Sequence, residues 1–332
     1  MVVLITGVAG LLGSKLADWI LENRPGTTVV GIDHLRGGYI ENVNRDVMFI
    51  QDDLTTCDLD SIFQRTNPDY VFHFAAYAAE GLSPFMRMFN YQNNMLSTAN
   101  VINACVNHKV KRLVYTSSSS VYGTGMHLTE DSPVNPLDPY AISKYACEKD
   151  IQITGLYHDL DWCIIRPHNV YGDKQNIWDM YRNVLGIWTY KVLHNLPISI
   201  YGSGDQIRSF SFIDDCLPCL WEAATGEKAS KQIINLGGKT PTTIREASEV
   251  MMQIALEYGF SNVRISYLES RCEAKVVVPS WKKSEDLLGF EDRTDLYTGL
   301  KKMFRWAIHQ PDREIKKWSK YEISQGIYSY WK

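Results

Sequence analysis

Tyr140 and Lys144, in the run Tyr140-Ala141-Ile142-Ser143-Lys144, are the residues of this chain whose types and spacing speak most directly of chemistry. On a helix, side chains four positions apart lie on one face, one turn from each other. An ammonium held near a phenol favours the phenolate and brings its pKa down from about 10 toward a range useful for proton transfer. Tyr140 is therefore the candidate general acid/base. Such a pair arises often by chance, but here it follows Thr116-Ser117-Ser118-Ser119-Ser120-Val121-Tyr122-Gly123, a run of hydroxyls that closes an apolar strand. The carboxyl ends of strands are where open α/β sheets bind their ligands.

A second constellation opens the chain. Thr6-Gly7-Val8-Ala9-Gly10-Leu11-Leu12-Gly13 gives GxxGxxG directly after the first apolar run, and helical spacing through Leu16, Trp19 and Ile20 follows. Glycines there permit a sharp turn and let a pyrophosphate approach a helix N-terminus, where free N–H groups and the dipole favour an anion. Asp33 stands twenty residues past Gly13, at the end of the second apolar run. A carboxylate at that point accepts hydrogen bonds from an adenosine ribose and repels a 2′-phosphate. The expected cofactor is NAD rather than NADP, a preference that nearby Arg36 tempers.

The elements that must hold these residues follow from apolar runs at 2–5, 28–32, 47–50, 70–74, 112–115 and 162–165, alternating with helical or polar stretches that include 95–105 and 140–156. Continuous apolar strands between helices require a parallel sheet buried on both faces. The fold class is α/β: a doubly wound Rossmann domain over residues 1–171, with a return segment around 209–236, and a smaller substrate-binding lobe with a C-terminal tail over 172–332. Trp178, Tyr181, Trp188 and Tyr190 suggest a helical stretch in that lobe. The tail mixes lysines with Trp318, Tyr321, Ile327, Tyr328 and Trp331, and packing on the body or on a partner subunit is expected over membrane contact. The 332 residues carry a formal net charge of −4 without a run of five like charges, which argues against nucleic acid or an anionic membrane and for a small-molecule partner. Seven cysteines without framework spacing fit reduced thiols in the cytoplasm. Cys216 and Cys219 form a CxxC with no second pair to complete a metal site, so helix packing is expected and no metal.

Taken together these motifs resemble the extended short-chain dehydrogenase/reductase family, NAD-dependent epimerases and dehydratases of nucleotide sugars, and the resemblance covers nearly the whole chain. It implies Gly7, Gly10 and Gly13 at the pyrophosphate, Asp33 on the adenosine ribose, Asp53 with Leu54 beside the adenine, and Leu11, Leu12, Tyr140 and Lys144 also among the residues that bind the cofactor. It further implies a cofactor lining of Phe74, Ala75, Ala76, Asn94, Ser117 and Pro167, with His73 structural. Ser118, four before Tyr122, matches the catalytic hydroxyl that works with Tyr140 and Lys144. Two helices carrying 94–105 and 140–156 pair into a dimer interface in related proteins, which implies a homodimer.

Arg166-Pro167-His168-Asn169-Val170-Tyr171-Gly172 resembles a segment of nucleotide-sugar epimerases in which the asparagine contacts the diphosphate. By the same resemblance Arg208 and Arg271 grip the diphosphate, Glu273 holds the nucleotide ribose, and Asn183 and Tyr201 are candidates for the base pocket. The implied substrate is a nucleotide diphosphate sugar, UDP-linked in most such relatives. The implied reaction is 4-epimerisation through a transient 4-keto sugar. Dehydratases carry Asp-Glu where this chain has Ser119 and Ser120, and decarboxylases carry Glu at the latter. Uronate epimerases tend toward Thr where Asn169 stands, which favours a neutral hexose. Glu80 departs from the simple pattern: it is either a solvated loop residue or a carboxylate in the pocket, and in the second case a dehydratase, or an epimerase at another carbon, becomes credible.

Overall fold

A computed structural model describes residues 1–331. Seven strands form one wholly parallel sheet: β1 (Val2–Thr6), β2 (Thr28–Asp33), β3 (Met48–Gln51), β4 (Tyr70–His73), β5 (Arg112–Thr116), β6 (Trp162–Pro167) and β7 (Gln232–Leu236). Their order across the sheet is β7-β6-β5-β4-β1-β2-β3. This is the doubly wound order, with its switch point between β1 and β4. The six strands expected from apolar runs are all present, each within a residue or two of its expected ends. The seventh comes from the segment that returns to the sheet edge, where Ile233 pairs with Ile164 and Ile234 with Ile165.

The two faces divide the strand residues by parity. Val3 and Ile5 face one core with helix α1 (Leu11–Asn23), whereas Leu4 between them faces a second core with the helix Ser97–Asn107. Alternation of this kind is the period-2 geometry of a strand, and burial on both faces explains why the runs are continuously apolar. Cys216 and Cys219 lie in the helix Ile213–Thr225 against Leu16 and Ile20, each 1% exposed. They pack as small hydrophobes.

Outside the large sheet, a four-stranded sheet orders Pro241–Thr243, Ile207–Ser209, Val276–Pro279 and Gly125–Leu128. A separate core is built on Trp188, Tyr171, Phe210 and Phe304. The aromatic stretch expected as a helix is one only over Val184–Leu193, and Trp178 and Tyr181 precede it in turns. Asn183 stops the helix from extending backward, because its side-chain oxygen accepts the Leu185 N–H as an N-cap.

The helix expected over 95–105 starts earlier, at Arg87, and passes through a π turn at Gln92–Leu96 before Ser97–Asn107. The hydroxyls of Ser97 and Thr98 bond back to the carbonyls of Asn93 and Asn94 at 2.5 Å each. A π turn widens the spiral by one residue and often accompanies a functional site. The C-terminal tail is folded onto the body: Trp331 is 7% exposed in a cluster with Tyr77, Leu82, Phe85 and Tyr181. Among the described residues no helix is long and apolar enough to cross a membrane.

Candidate active site

A single cavity of about 970 Å³ runs along the carboxyl ends of the strands, over the switch point. One end is walled by Gly7, Gly10, Leu11, Leu12, Asp33, Asp53 and Leu54. Gly7 turns with φ +73°, and a Cβ there would lie 2.8 Å from the Ala75 nitrogen on β4's exit. A Cβ on Gly13 would come within 2.3 Å of the Gly7 carbonyl oxygen. Only glycine lets α1 begin this close to the sheet. No side chain caps α1, so its first-turn N–H groups face the cavity with the positive end of the dipole, the arrangement a pyrophosphate needs. Asp33 fixes the loop by accepting from the Ala9 N–H at 3.1 Å and the Leu35 N–H at 2.8 Å. Arg36, whose charge tempered the cofactor preference, lies 3.5 Å from the Asp53 carboxylate. These residues fit a dinucleotide.

The middle of the cavity holds Tyr140, Lys144, Ser117, Ser118, Phe74, Ala75, Ala76 and Pro167 together. The helix Pro139–His158 carries Tyr140 and Lys144. Asp138 N-caps it, accepting the Ala141 N–H at 2.9 Å, and Pro139 occupies the first helical position. Burial first, and then the negative charge of Glu80, push the Tyr140 phenol well above its ordinary value, while the Ser118 hydroxyl pulls the other way. Burial lowers the Lys144 ammonium to about 8. Lys144 Nζ donates to the Thr116 carbonyl at 2.7 Å and stands 5.9 Å from the Tyr140 ring centre. In this arrangement desolvation outweighs any lowering of the phenol by a charge held at that distance.

Asn94 is the one expected cofactor residue that does not line the cavity. It is 1% exposed, and its side-chain oxygen accepts the Tyr77 N–H at 2.9 Å while its amide donates to Asn90. Its place is behind the wall, holding the loop that follows β4. His73 is buried between the hydroxyls of Thr6, at 2.7 Å, and Thr98, at 2.9 Å, and burial lowers its imidazole to about 3. That agrees with a structural role.

The far end is lined by Glu80, Asn169, Asn183, Tyr201, Arg208, Arg271 and Glu273. Arg208 approaches Glu273 at 3.6 Å and donates to the carbonyls of Ile207 and Ala274. The Arg271 guanidinium lies 3.6 Å over the Tyr201 ring. Glu80 stands in the turn after β4 with its side chain exposed, and it lines this end of the cavity. Desolvation, with the nearby Asp138 charge second, raises its carboxyl above the usual range. Asp138 is raised too, chiefly by burial. The Ser83 hydroxyl ties these segments together: it accepts the Tyr140 N–H at 3.1 Å, and its one proton is shared between the backbone carbonyl of Glu80 at 2.8 Å and Asp138 at 3.2 Å. Sequence reasoning missed Asp138, although Asp-Pro before a helical run is an N-cap signal.

Residues 3–237 match the model of the NAD dependent epimerase/dehydratase family. A UDP-glucose 4-epimerase of Mycolicibacterium smegmatis is 34% identical over 251 residues, covering 73% of this chain and 79% of the relative. A dTDP-D-glucose 4,6-dehydratase of Mus musculus is 28% identical over 320 residues, covering 92% and 88%. Among solved structures, a UDP-glucuronic acid 4-epimerase of Bacillus cereus in complex with UDP-glucuronic acid and NAD superposes with a TM-score of 0.84 at 28% identity, covering 93% of this chain and 99% of that one. With a Rossmann sheet, a glycine turn shaped for a dinucleotide and these matches, the chain belongs to the NAD dependent epimerase/dehydratase family.

Proposed function

We propose that the protein is a 4-epimerase of a UDP-linked neutral hexose. The observation that carries this reading is the continuity of the cavity: the dinucleotide end, Tyr140 with Ser118, and the two arginines lie along one space. Two ligands laid end to end would meet at the phenol. Bound NAD supplies the hydride acceptor and donor for the sugar carbon. Tyr140 takes the proton of the sugar 4-hydroxyl and returns it, Ser118 donates to the oxygen as its charge develops, and Lys144 adds positive charge nearby. Arg208 and Arg271 hold the diphosphate, for which planar guanidinium groups are suited. Glu80 and Asp138 beside the phenol oppose the carboxylate of a uronate, which supports a neutral sugar.

The same two carboxylates favour a second reading, a dehydratase in which Glu80 is an added acid/base. Mass and NMR analysis of products from UDP-glucose, UDP-N-acetylglucosamine and UDP-glucuronate separates the two. An isomer of unchanged mass from one of the first two is expected. Loss of water would overturn the epimerase reading and would disappear in Glu80→Gln.

On our reading residues 1–171 with a return over 209–236 form the cofactor lobe and the remainder the substrate lobe; the pairing of β7 with β6 supports the return. The seven free cysteines support a reducing compartment, the cytoplasm. A homodimer is supported by Ile142, Ile153, Leu156 and Tyr157, exposed on the Tyr140 helix, the last two at 85% and 80%. Sedimentation at micromolar concentration is expected to give twice the chain mass, and Leu156→Glu to shift it toward the monomer.

A further inference from the structure

The family model ends at residue 237, and the aromatic tail lies far beyond it. Yet Gly326 and Tyr328 line the cavity beside Arg271, Cys272 and Glu273. The tail is fastened at several points to the loop and helix that follow β4. The Glu322 carboxylate accepts the N–H groups of Met88 at 2.8 Å and Phe89 at 2.9 Å, and its own N–H donates to the Phe85 carbonyl. Trp318 packs edge-on against Phe89, ring centres 4.7 Å apart, and Trp331 packs against Phe85 and Tyr181. The Tyr321 hydroxyl bonds Tyr181 and the Trp331 carbonyl, closing the tail on itself.

From this anchorage an aromatic shelf extends into the substrate end. Tyr328 and Tyr330 are stacked with planes 5° apart, Tyr330 lies 4.9 Å from Tyr201, and the Arg271 guanidinium sits on the Tyr201 ring. The Tyr328 hydroxyl accepts the Cys272 N–H at 3.2 Å, which fixes the backbone next to Arg271. On the other side a Cβ at Gly81 would stand 3.3 Å from Arg271 Nη1 and 3.6 Å from Trp331. Among the described residues the buried Arg271 Nε has no hydrogen-bond partner and no carboxylate pairs with this guanidinium. A cation held on a ring face, with no carboxylate paired to it among the described residues, is prepared to take an anion.

We propose that residues 318–331 form a wall of the substrate half of the cavity, and that Tyr330 is the positioning residue through which this wall holds Arg271 for the diphosphate of the substrate. The proposal rests on the nucleotide-sugar reading above. It gives the tail a part in substrate affinity and none in cofactor retention, since its contacts lie away from Gly7, Asp33 and Asp53.

The test compares full-length Tyr330→Ala, Tyr330→Phe and wild type, each loaded with NAD, by calorimetric titration with UDP, by NAD content and by KM and kcat. Tyr330→Ala is expected to weaken UDP roughly tenfold to a hundredfold, the range for a misplaced charge-assisted hydrogen bond, with NAD content unchanged and KM moved more than kcat. The buried Tyr330 hydroxyl has no partner among the described residues, so Tyr330→Phe is expected to match wild type. Should Tyr330→Ala fail to fold, Tyr330→Leu keeps apolar volume while losing the ring face and is expected to give the same loss. UDP binding by either non-aromatic variant at wild-type strength overturns the proposal, as does equal loss in Tyr330→Phe. Wild type that binds no UDP overturns instead the nucleotide-sugar reading, so the two failures are distinct.

Discussion

Tyr140→Phe is expected to lower kcat by roughly 10²- to 10⁴-fold, the usual contribution of a positioned general acid/base, while leaving KM and bound NAD nearly unchanged. The substitution removes one oxygen from a ring that stays packed: Tyr140 is 6% exposed, and its N–H remains bonded to Ser83. A fall in kcat and kcat/KM together marks an interaction made in the transition state, whereas a rise in KM alone would mark ground-state binding. The pH dependence has a definite sign. Burial and the Glu80 charge hold the phenol protonated over the ordinary range, and the base form is the one that takes a proton from the sugar. The wild-type rate limited by that step therefore rises with pH until the phenol ionises. Positive charge brought into the cavity favours the phenolate, so the same titration should start lower in protein loaded with oxidised NAD than in stripped protein. A Tyr140→Phe variant with more than a tenth of wild-type kcat would remove this residue from the proton-transfer role.

The sheet was legible because each strand is a short apolar run ended by polar or turn residues, and burial on both faces leaves no competing pattern. The glycine turn with Asp33, and Tyr140 with Lys144, were legible because they are local: spacing along the chain sets their spacing in the cavity. The rest of the site is assembled across long separations. Asp138 and Glu80 meet through Ser83, fifty-five and three residues away respectively, and no periodicity records that meeting. Asn94 shows the converse. Its position in the chain matches a cofactor residue, but within the π turn at Gln92–Leu96 its side chain bonds the Tyr77 N–H and Asn90 behind the wall. The tail was visible only as composition. Its aromatic residues gain meaning from Phe85, Tyr181 and Tyr201, which the fold alone brings to them.

Glu148→Ala is expected to be the most destabilising single substitution near the cavity, costing about 3–5 kcal/mol as when one partner of a buried ion pair is removed. Glu148 and Arg166 are 0% and 2% exposed at their side chains, and they form two parallel bonds of 2.9 and 2.6 Å. Burial opposes the Arg166 charge, yet these bonds keep its pKa above the ordinary value. With Glu148 gone the guanidinium would retain only the Tyr122 ring face, 4.7 Å from its carbon, which is a small fraction of what the carboxylate provides. The same carboxylate accepts the Ser117 hydroxyl at 2.5 Å, so the loss reaches the cavity wall beside Ser118. Denaturant unfolding of the variant should show the shift in midpoint with an unchanged slope. Glu148→Ala with Arg166→Met restores a neutral, filled interior and should recover much of the stability, because the penalty belongs to the stranded charge and not to the missing pair. If the double variant is as unstable as the single one, the pair itself is the source of stability; if Glu148→Ala alone shifts unfolding by less than about 1 kcal/mol, the guanidinium has found water and the interior at this point is open.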